Sequence, residues 1–204
     1  AHLANCGIPS IMLDIVPRDL ADKDKTNPAK RNAIAAASKA AMLKTKPSPI
    51  YANSVMDLVE TGNFDDDMVR IADCDWIIEV VTERLDIKRA VFENVKKYRK
   101  PGSILSTNTS GIPLKDMVAV MDEDMRRNFL GTHFFNPPRY LKLVEIIPAP
   151  DTDPALIAFM AEFLEGRLLL LRHRQRACEL LARFPCRVHL LACASDYRAL
   201  FGKR

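Results

Sequence analysis

A chain of 204 residues, 48% apolar and 27% charged, is long enough for one sizeable globular core, and it offers no apolar run of the roughly 18 residues that a membrane-spanning helix needs. Its net charge of +4 divides unevenly: from Gly166 onward nine Lys and Arg stand against two Asp and Glu, leaving 21 basic and 24 acidic residues before it. The residues AHLANCGIPS lack the basic start, apolar stretch and small-residue cleavage site of a signal peptide, and five cysteines without metal-ligand spacing lead us to expect reduced thiols, a cytoplasmic setting and no bound metal.

In chain order, AHLANC reads as the last turns of a helix, with Gly7 just past its end. SIMLDIV then forms a short buried strand closing on Asp14. Asn27-Pro28 is a cap followed by a first-turn proline, and opens a helix from Ala29 to Leu43 that Pro47 and Pro49 end. DDDMVRIADC is a short helix or loop leading into DWIIEVV, the most strand-like run of the chain. Ile87, Val91, Phe92 and Val95 place a helix over Asp86 to Tyr98, stopped at Lys100-Pro101-Gly102. SILST is a strand, PLKDMVAVM a short helix, and FLGTHFF and KLVEIIP are strands. Asp153-Pro154 starts a helix that runs to about Glu165. Strands alternating with helices predict an α/β fold, Rossmann-like and doubly wound around a mainly parallel sheet.

In such a sheet ligands bind at the carboxyl ends of the strands, which directs attention to Asp14, Glu79 to Lys88, Ser106 to Ser110 and His133 to Asn136. A strand-end carboxylate such as Asp14 can accept hydrogen bonds from ribose hydroxyls and repel a 2′-phosphate; it can equally begin an ordinary loop. The glycine-rich turn that should precede it by about 20 residues is not found, since none of the seven glycines forms a G-x-G-x-x-G cluster. The first strand and that turn are therefore expected to be missing, with the sequence starting inside a longer one. His133 and Glu145 sit on two strands joined by NPPRYLK and can face one another, the usual arrangement for a general base backed by a carboxylate; a lone histidine at a strand end is also often structural. STNTS, Ser106 to Ser110, can bind a ligand or cap the following helix.

CDWIIEVVTERLDIKRAVFENV, SILSTNTSGIPL and GTHFFNPPRYLKLVEIIPAP together resemble the 3-hydroxyacyl-CoA dehydrogenase family, in the long bacterial form fused to an enoyl-CoA hydratase/isomerase domain. The resemblance covers Ala1 to Glu165. It implies NAD as cofactor and a 3-hydroxyacyl-CoA as substrate, oxidised to the 3-oxoacyl-CoA in fatty-acid β-oxidation. It implies that His133 takes the hydroxyl proton, that Glu145 is its carboxylate partner, and that Ser110 touches both the substrate oxygen and the cofactor. Asp14, Glu83, Lys88 and Asn136 would line the cofactor site; Ser38, with Lys44 or Lys46, falls where the family contacts CoA.

Two units are expected: a partial NAD-binding domain over 1–165 and a basic tail over 166–204. The tail departs from the family pattern. It holds eight of the seventeen arginines and three of the five cysteines, the signature of an out-of-frame segment, although ACELLARF has some helical pattern of its own. A homodimer is expected only for the full-length protein, and this fragment alone is expected to be inactive. The competing class is an inactive remnant or binding module with the same fold. Nucleic-acid binding by the tail is not expected, because its aromatics (Phe184, Tyr197, Phe201) are sparse.

Overall fold

The computed structural model describes residues 1–168, 171–172 and 188–192. A short helix α1 (His2–Asn5) ends at Gly7, whose φ of 75° only glycine adopts without strain. Strand β1 (Ser10–Asp14) is buried at every position. The expected helix after Asn27 is present, with the Asn27 side chain accepting from the Ala29 N–H at 3.0 Å, but it is two helices. α2 (Pro28–Arg31) and α3 (Ala33–Met42) break at Asn32. There the side-chain oxygen accepts from the Asn63 amide at 2.5 Å, the kind of outside bond by which an asparagine competes with helix.

Strand β2 (Val59–Asn63) was not foreseen. Its sequence VETGN has no apolar alternation, because among the described strands it lies at the edge and pairs with β1 alone, parallel, from Ser10↔Val59 to Asp14↔Asn63. Gly62 lets two side chains approach closely: a Cβ there would lie 2.8 Å from Leu13 Cδ2 and 2.5 Å from Asp67 Oδ2, so both would have to move. The MVRIAD stretch is a 3₁₀ helix, Met68–Asp73. It leads into β3 (Trp76–Val80) and α4 (Leu85–Tyr98), and β4 (Ile104–Thr107) follows. α5 (Leu114–Met117) and an unforeseen α6 (Glu123–Arg127), capped by Asp122, lead to β5 (Phe129–Phe134). β6 (Leu143–Pro148) returns alongside it, and α7 (Pro154–Gly166) starts at its Asp153 cap, 2.9 Å from the Ala155 N–H.

From the tail come β7 (Leu171–Arg172) and β8 (Val188–Ala192); the ACELLARF segment lies outside the described residues. The sheet order is β2-β1-β8-β3-β4-β5-β6-β7, parallel throughout except for the β5–β6 pair. The edges of β1 and β3 that face one another are not left open. β8 runs between them, with Met12↔Leu190 on one side and Trp76↔Val188 through Val80↔Ala192 on the other. Strand ladders are made by the backbone, so a segment of quite different sequence can pair with both of these edges.

Side chains alternate across this sheet, and both faces are covered. Ile11, Leu13, Ile77, Leu105 and Phe129 share one core with Phe92 of α4 and Met117 of α5. Trp76, Ile78, Leu130 and Val144 share another with Met160, Phe163 and Leu164 of α7. Burial on two faces explains why SIMLD and WIIEV read as continuous apolar runs. Among the described residues no helix is long and apolar enough to cross a membrane.

A proline in β8 tests its central place. Leu190→Pro removes a ladder donor and strands its acceptor, a loss on the order of 2–3 kcal/mol. For a chain of this size that lowers the melting temperature by roughly 5–10 °C. Unchanged melting in a calorimeter would show that β8 does not complete the sheet.

Candidate active site at the carboxyl ends of the strands

Asp14 closes β1 and is 2% exposed, its Oδ1 accepting from the Ile15 N–H at 2.7 Å. Opposite it in register, Asn63 is also buried and organises the turn after β2. Its side-chain oxygen accepts from the backbone N–H of Asp65 (3.0 Å) and Asp66 (2.9 Å). Arg31 clamps Asp66 from outside through two bonds of 2.6 and 2.9 Å. The edge beside Asp14 is thus a fixed polar wall, with its basic group already matched to a carboxylate.

On the other side of β8, β3 ends on a buried ion pair. Glu79 and Lys88 are 0% and 1% exposed, and the Lys88 ammonium lies 2.9 and 3.0 Å from the two Glu79 oxygens. Lys88 is carried by the first turn of α4, which points it back at the strand end. Glu83, between them, is half-exposed and 3.5 Å from the same ammonium. It accepts from the Thr109 hydroxyl and, at 3.0 Å, from the Gly111 N–H. Burial pushes the Glu83 carboxyl up, but the Thr109 and Gly111 bonds and the Lys88 charge outweigh it and hold the group below its ordinary value.

The STNTS run divides by depth. Ser106 is buried core: its hydroxyl accepts from Trp76 Nε1 at 2.8 Å and from the Thr132 hydroxyl at 2.9 Å. Ser110, at the far end, is exposed. It opens on a cavity of about 570 Å³ shared with Leu114, Ile147 and Pro148. Between the two, the Asn108 N–H donates to the Glu79 carbonyl at 2.9 Å, and its side chain accepts from the Phe134 N–H at 3.0 Å. That second bond couples the loop to β5 next to His133.

His133 and Glu145 are direct partners in the antiparallel β5–β6 register. Directly opposed residues point to the same face, and Nδ1 of the ring meets Glu145 Oε2 at 2.8 Å. An ionised carboxylate only accepts, so Nδ1 donates to it, and in the neutral ring Nε2 is the nitrogen with the lone pair. His133 is 25% exposed, within reach of a ligand. Asn136 follows β5 and is exposed.

Ser38 is partly buried on α3, and Lys44 and Lys46 are exposed just beyond it. A clamp that motif reasoning missed joins this segment to the β5–β6 loop. Arg139 Nη1 donates to the Ser48 carbonyl at 2.8 Å and to that of Ile50, and the Tyr140 hydroxyl donates to Ser48 at 3.0 Å. The Arg139 guanidinium also lies over the Tyr51 ring, 4.3 Å from its centre. The structure therefore pairs His133 with Glu145, groups Lys88 and Glu83 with the Ser110 loop, and sets Asp14 apart across β8. Glu79, Thr107 and Thr109 join these groups; they fall inside the segments the sequence pointed to but were given no role of their own. Their signal, an acid at a strand end nine residues before a lysine on the next helix, was present but unspecific.

A family profile described as the 3-hydroxyacyl-CoA dehydrogenase NAD binding domain matches residues 1–167. A probable 3-hydroxyacyl-CoA dehydrogenase of Bacillus subtilis is 44% identical over 174 residues, covering 82% of this chain and 22% of that protein. Its counterpart in Deinococcus radiodurans is 42% identical over 168 residues, covering 82% and 46%. A Rickettsia felis protein named as a fatty acid oxidation complex trifunctional enzyme is 35% identical over 147 residues, covering 72% and 19%. The chain thus spans less than half the length of these curated relatives. Among solved structures, FadB2 of M. tuberculosis superposes with a TM-score of 0.59 at 25% identity, covering 84% of this chain and 56% of that one. The 3-hydroxybutyryl-CoA dehydrogenase of Escherichia coli, at 23% identity and a TM-score of 0.61 over 84% and 34%, shares the fold.

The depressed Glu83 carboxyl makes a signed prediction. Its bonds stabilise the fold fully above the ordinary glutamate value of 4.5, and that share is lost as pH falls through the lower folded value. Glu83→Gln should flatten the acid limb of a stability profile measured by urea unfolding between about pH 3 and 6. A limb as steep as wild type would show that the carboxylate is not held this way.

Proposed function

The chain belongs to the NAD-binding domain family of the 3-hydroxyacyl-CoA dehydrogenases, and from that premise we propose that it serves the NAD-dependent oxidation of a 3-hydroxyacyl-CoA to the 3-oxoacyl-CoA in fatty-acid β-oxidation. The observation that carries this reading is the His133–Glu145 pair, opposed in register and joined at 2.8 Å. The trifunctional relative of R. felis supports the pathway. The site is cytoplasmic in this reading, and the complete protein a homodimer.

Oxidising a secondary alcohol needs a base for the hydroxyl proton. Nε2 of His133 takes that proton while Glu145, on Nδ1, keeps the ring oriented and stabilises the imidazolium. Ser110, exposed at the mouth of its cavity, holds the substrate oxygen by its hydroxyl. When bound, NAD supplies the acceptor for the hydride leaving the same carbon. The residues present fit that group in part, since none of the seven glycines forms a phosphate-binding turn: Asp14, a buried carboxylate at a strand end, would accept from the adenosine ribose hydroxyls, and Glu83 and Asn136 would line the remainder, with the buried Lys88 ammonium behind Glu83. Ser38, Lys44 and Lys46 meet the CoA portion, where exposed ammonium groups suit phosphates.

In the protein produced with its flanking coding sequence, His133→Gln should lower turnover about 10²- to 10⁴-fold, the usual worth of a general base. Glu145→Gln should lower it less and shift the pH–rate profile. Near-normal turnover in both variants removes the pair from the chemistry.

Cofactor choice follows from Asp14, since a carboxylate beside a 2′-phosphate is a like-charge contact. kcat/KM with NAD should exceed that with NADP, and Asp14→Asn should narrow the ratio. Equal values in the unaltered protein would place Asp14 away from the ribose.

A further inference from the structure

Glu79 is a buried charge that the proposed chemistry does not use. A carboxylate taken out of water is costly unless new bonds replace its hydration, and here they replace all of it. Oε1 accepts from the Val81 N–H at 2.6 Å and from Lys88 at 2.9 Å. Oε2 accepts from Lys88 at 3.0 Å and from the Thr107 hydroxyl at 2.5 Å. Lys88 spends a further donor on the Val81 carbonyl, 3.2 Å away.

An ion pair kept for stability alone can often be exchanged for apolar side chains without loss. This one spans three pieces of chain that the site needs at once. It ties the end of β3 to the first turn of α4 through Lys88, and to the end of β4 through Thr107. The backbone of the same residue holds Asn108, whose side chain holds Phe134 beside His133. Lys88 in turn faces Glu83, which grips the loop a second time at Thr109 and Gly111.

We propose that Glu79 is a positioning residue for the cofactor side of the site. Its carboxylate holds Lys88 and the Thr107–Gly111 loop in one arrangement, so that Glu83 and Ser110 are presented together. This assignment rests on reading that side as the place of the nicotinamide cofactor.

The test uses the protein produced with its flanking coding sequence, in two variants. Glu79→Gln removes the charge; Thr107→Val removes one bond without stranding Lys88, and decides the matter if the first variant does not fold. Amide hydrogen exchange at Asn108 and Gly111 should accelerate about fivefold in Thr107→Val, the ratio expected for one net hydrogen bond, and more in Glu79→Gln. Amides of the β1–β2 ladder should keep wild-type protection. The KM for NAD should rise by a similar factor, while the KM for the acyl-CoA, bound mainly through its remote CoA portion, stays within about twofold. Unchanged exchange at both amides overturns the proposal. So does a loosened loop with the KM for NAD unaltered, which leaves Glu79 a structural residue only. If the wild-type protein does not oxidise a 3-hydroxyacyl-CoA with NAD, the functional reading is what fails, and the exchange data still decide whether Glu79 orders the loop.

Discussion

β3 is the strand on which the other elements are hung. It is paired along both edges, by β8 and β4, and covered on both faces, by the Phe92 core on one side and the α7 core on the other. A strand enclosed in this way has no freedom to slide, because a shift of one residue would exchange its two apolar faces and put Glu79 among hydrophobic side chains. The register is therefore strongly specified, and the point where β3 stops being apolar is equally well specified. That point is Glu79, followed at once by the loop that carries Glu83 and the helix that carries Lys88. The site inherits its precision from the sheet's inability to move.

The same logic applies at the far side of the sheet, where the chain changes direction. β5 and β6 are the only antiparallel neighbours among the described strands. An antiparallel pair places residues face to face, whereas parallel ladders stagger them. A histidine and a glutamate twelve residues apart become direct neighbours because the connecting loop returns the chain in register. The Arg139 clamp then fastens that loop to the segment after α3, across the stacked Tyr51 ring.

Much of this was legible in the sequence, for identifiable reasons. WIIEV, SIMLD and FLGTHF are strands buried on both faces, and the α4 pattern of Ile87, Val91, Phe92 and Val95 is local, so periodicity finds them. The capping residues Asn27 and Asp153 marked helix starts because their bonds lie within two residues. What escaped depends on partners far along the chain. VETGN becomes a strand through the Ser10 to Asp14 edge, and Asn32 breaks its helix because Asn63 is waiting for it. His133 and Glu145 were found through motif spacing, which encodes a register that no local propensity shows. Glu79 sat within a segment already under suspicion, yet its importance lies in Thr107 and Asn108, which belong to another strand end.

The place of β8 has a consequence for how the sheet is made. Its neighbours β1 and β3 precede it by more than a hundred residues in the numbering, so the contact that unites the two halves of the sheet is among the least local in the chain. During synthesis the β2–β1 pair and the β3-to-β6 block each have enough partners to begin forming, but they cannot be joined through β8 until that strand has emerged. Closing so large a loop is slow relative to local structure. In that interval two unpaired strand edges face one another, the condition under which chaperone capture and strand exchange between nascent chains compete with correct closure.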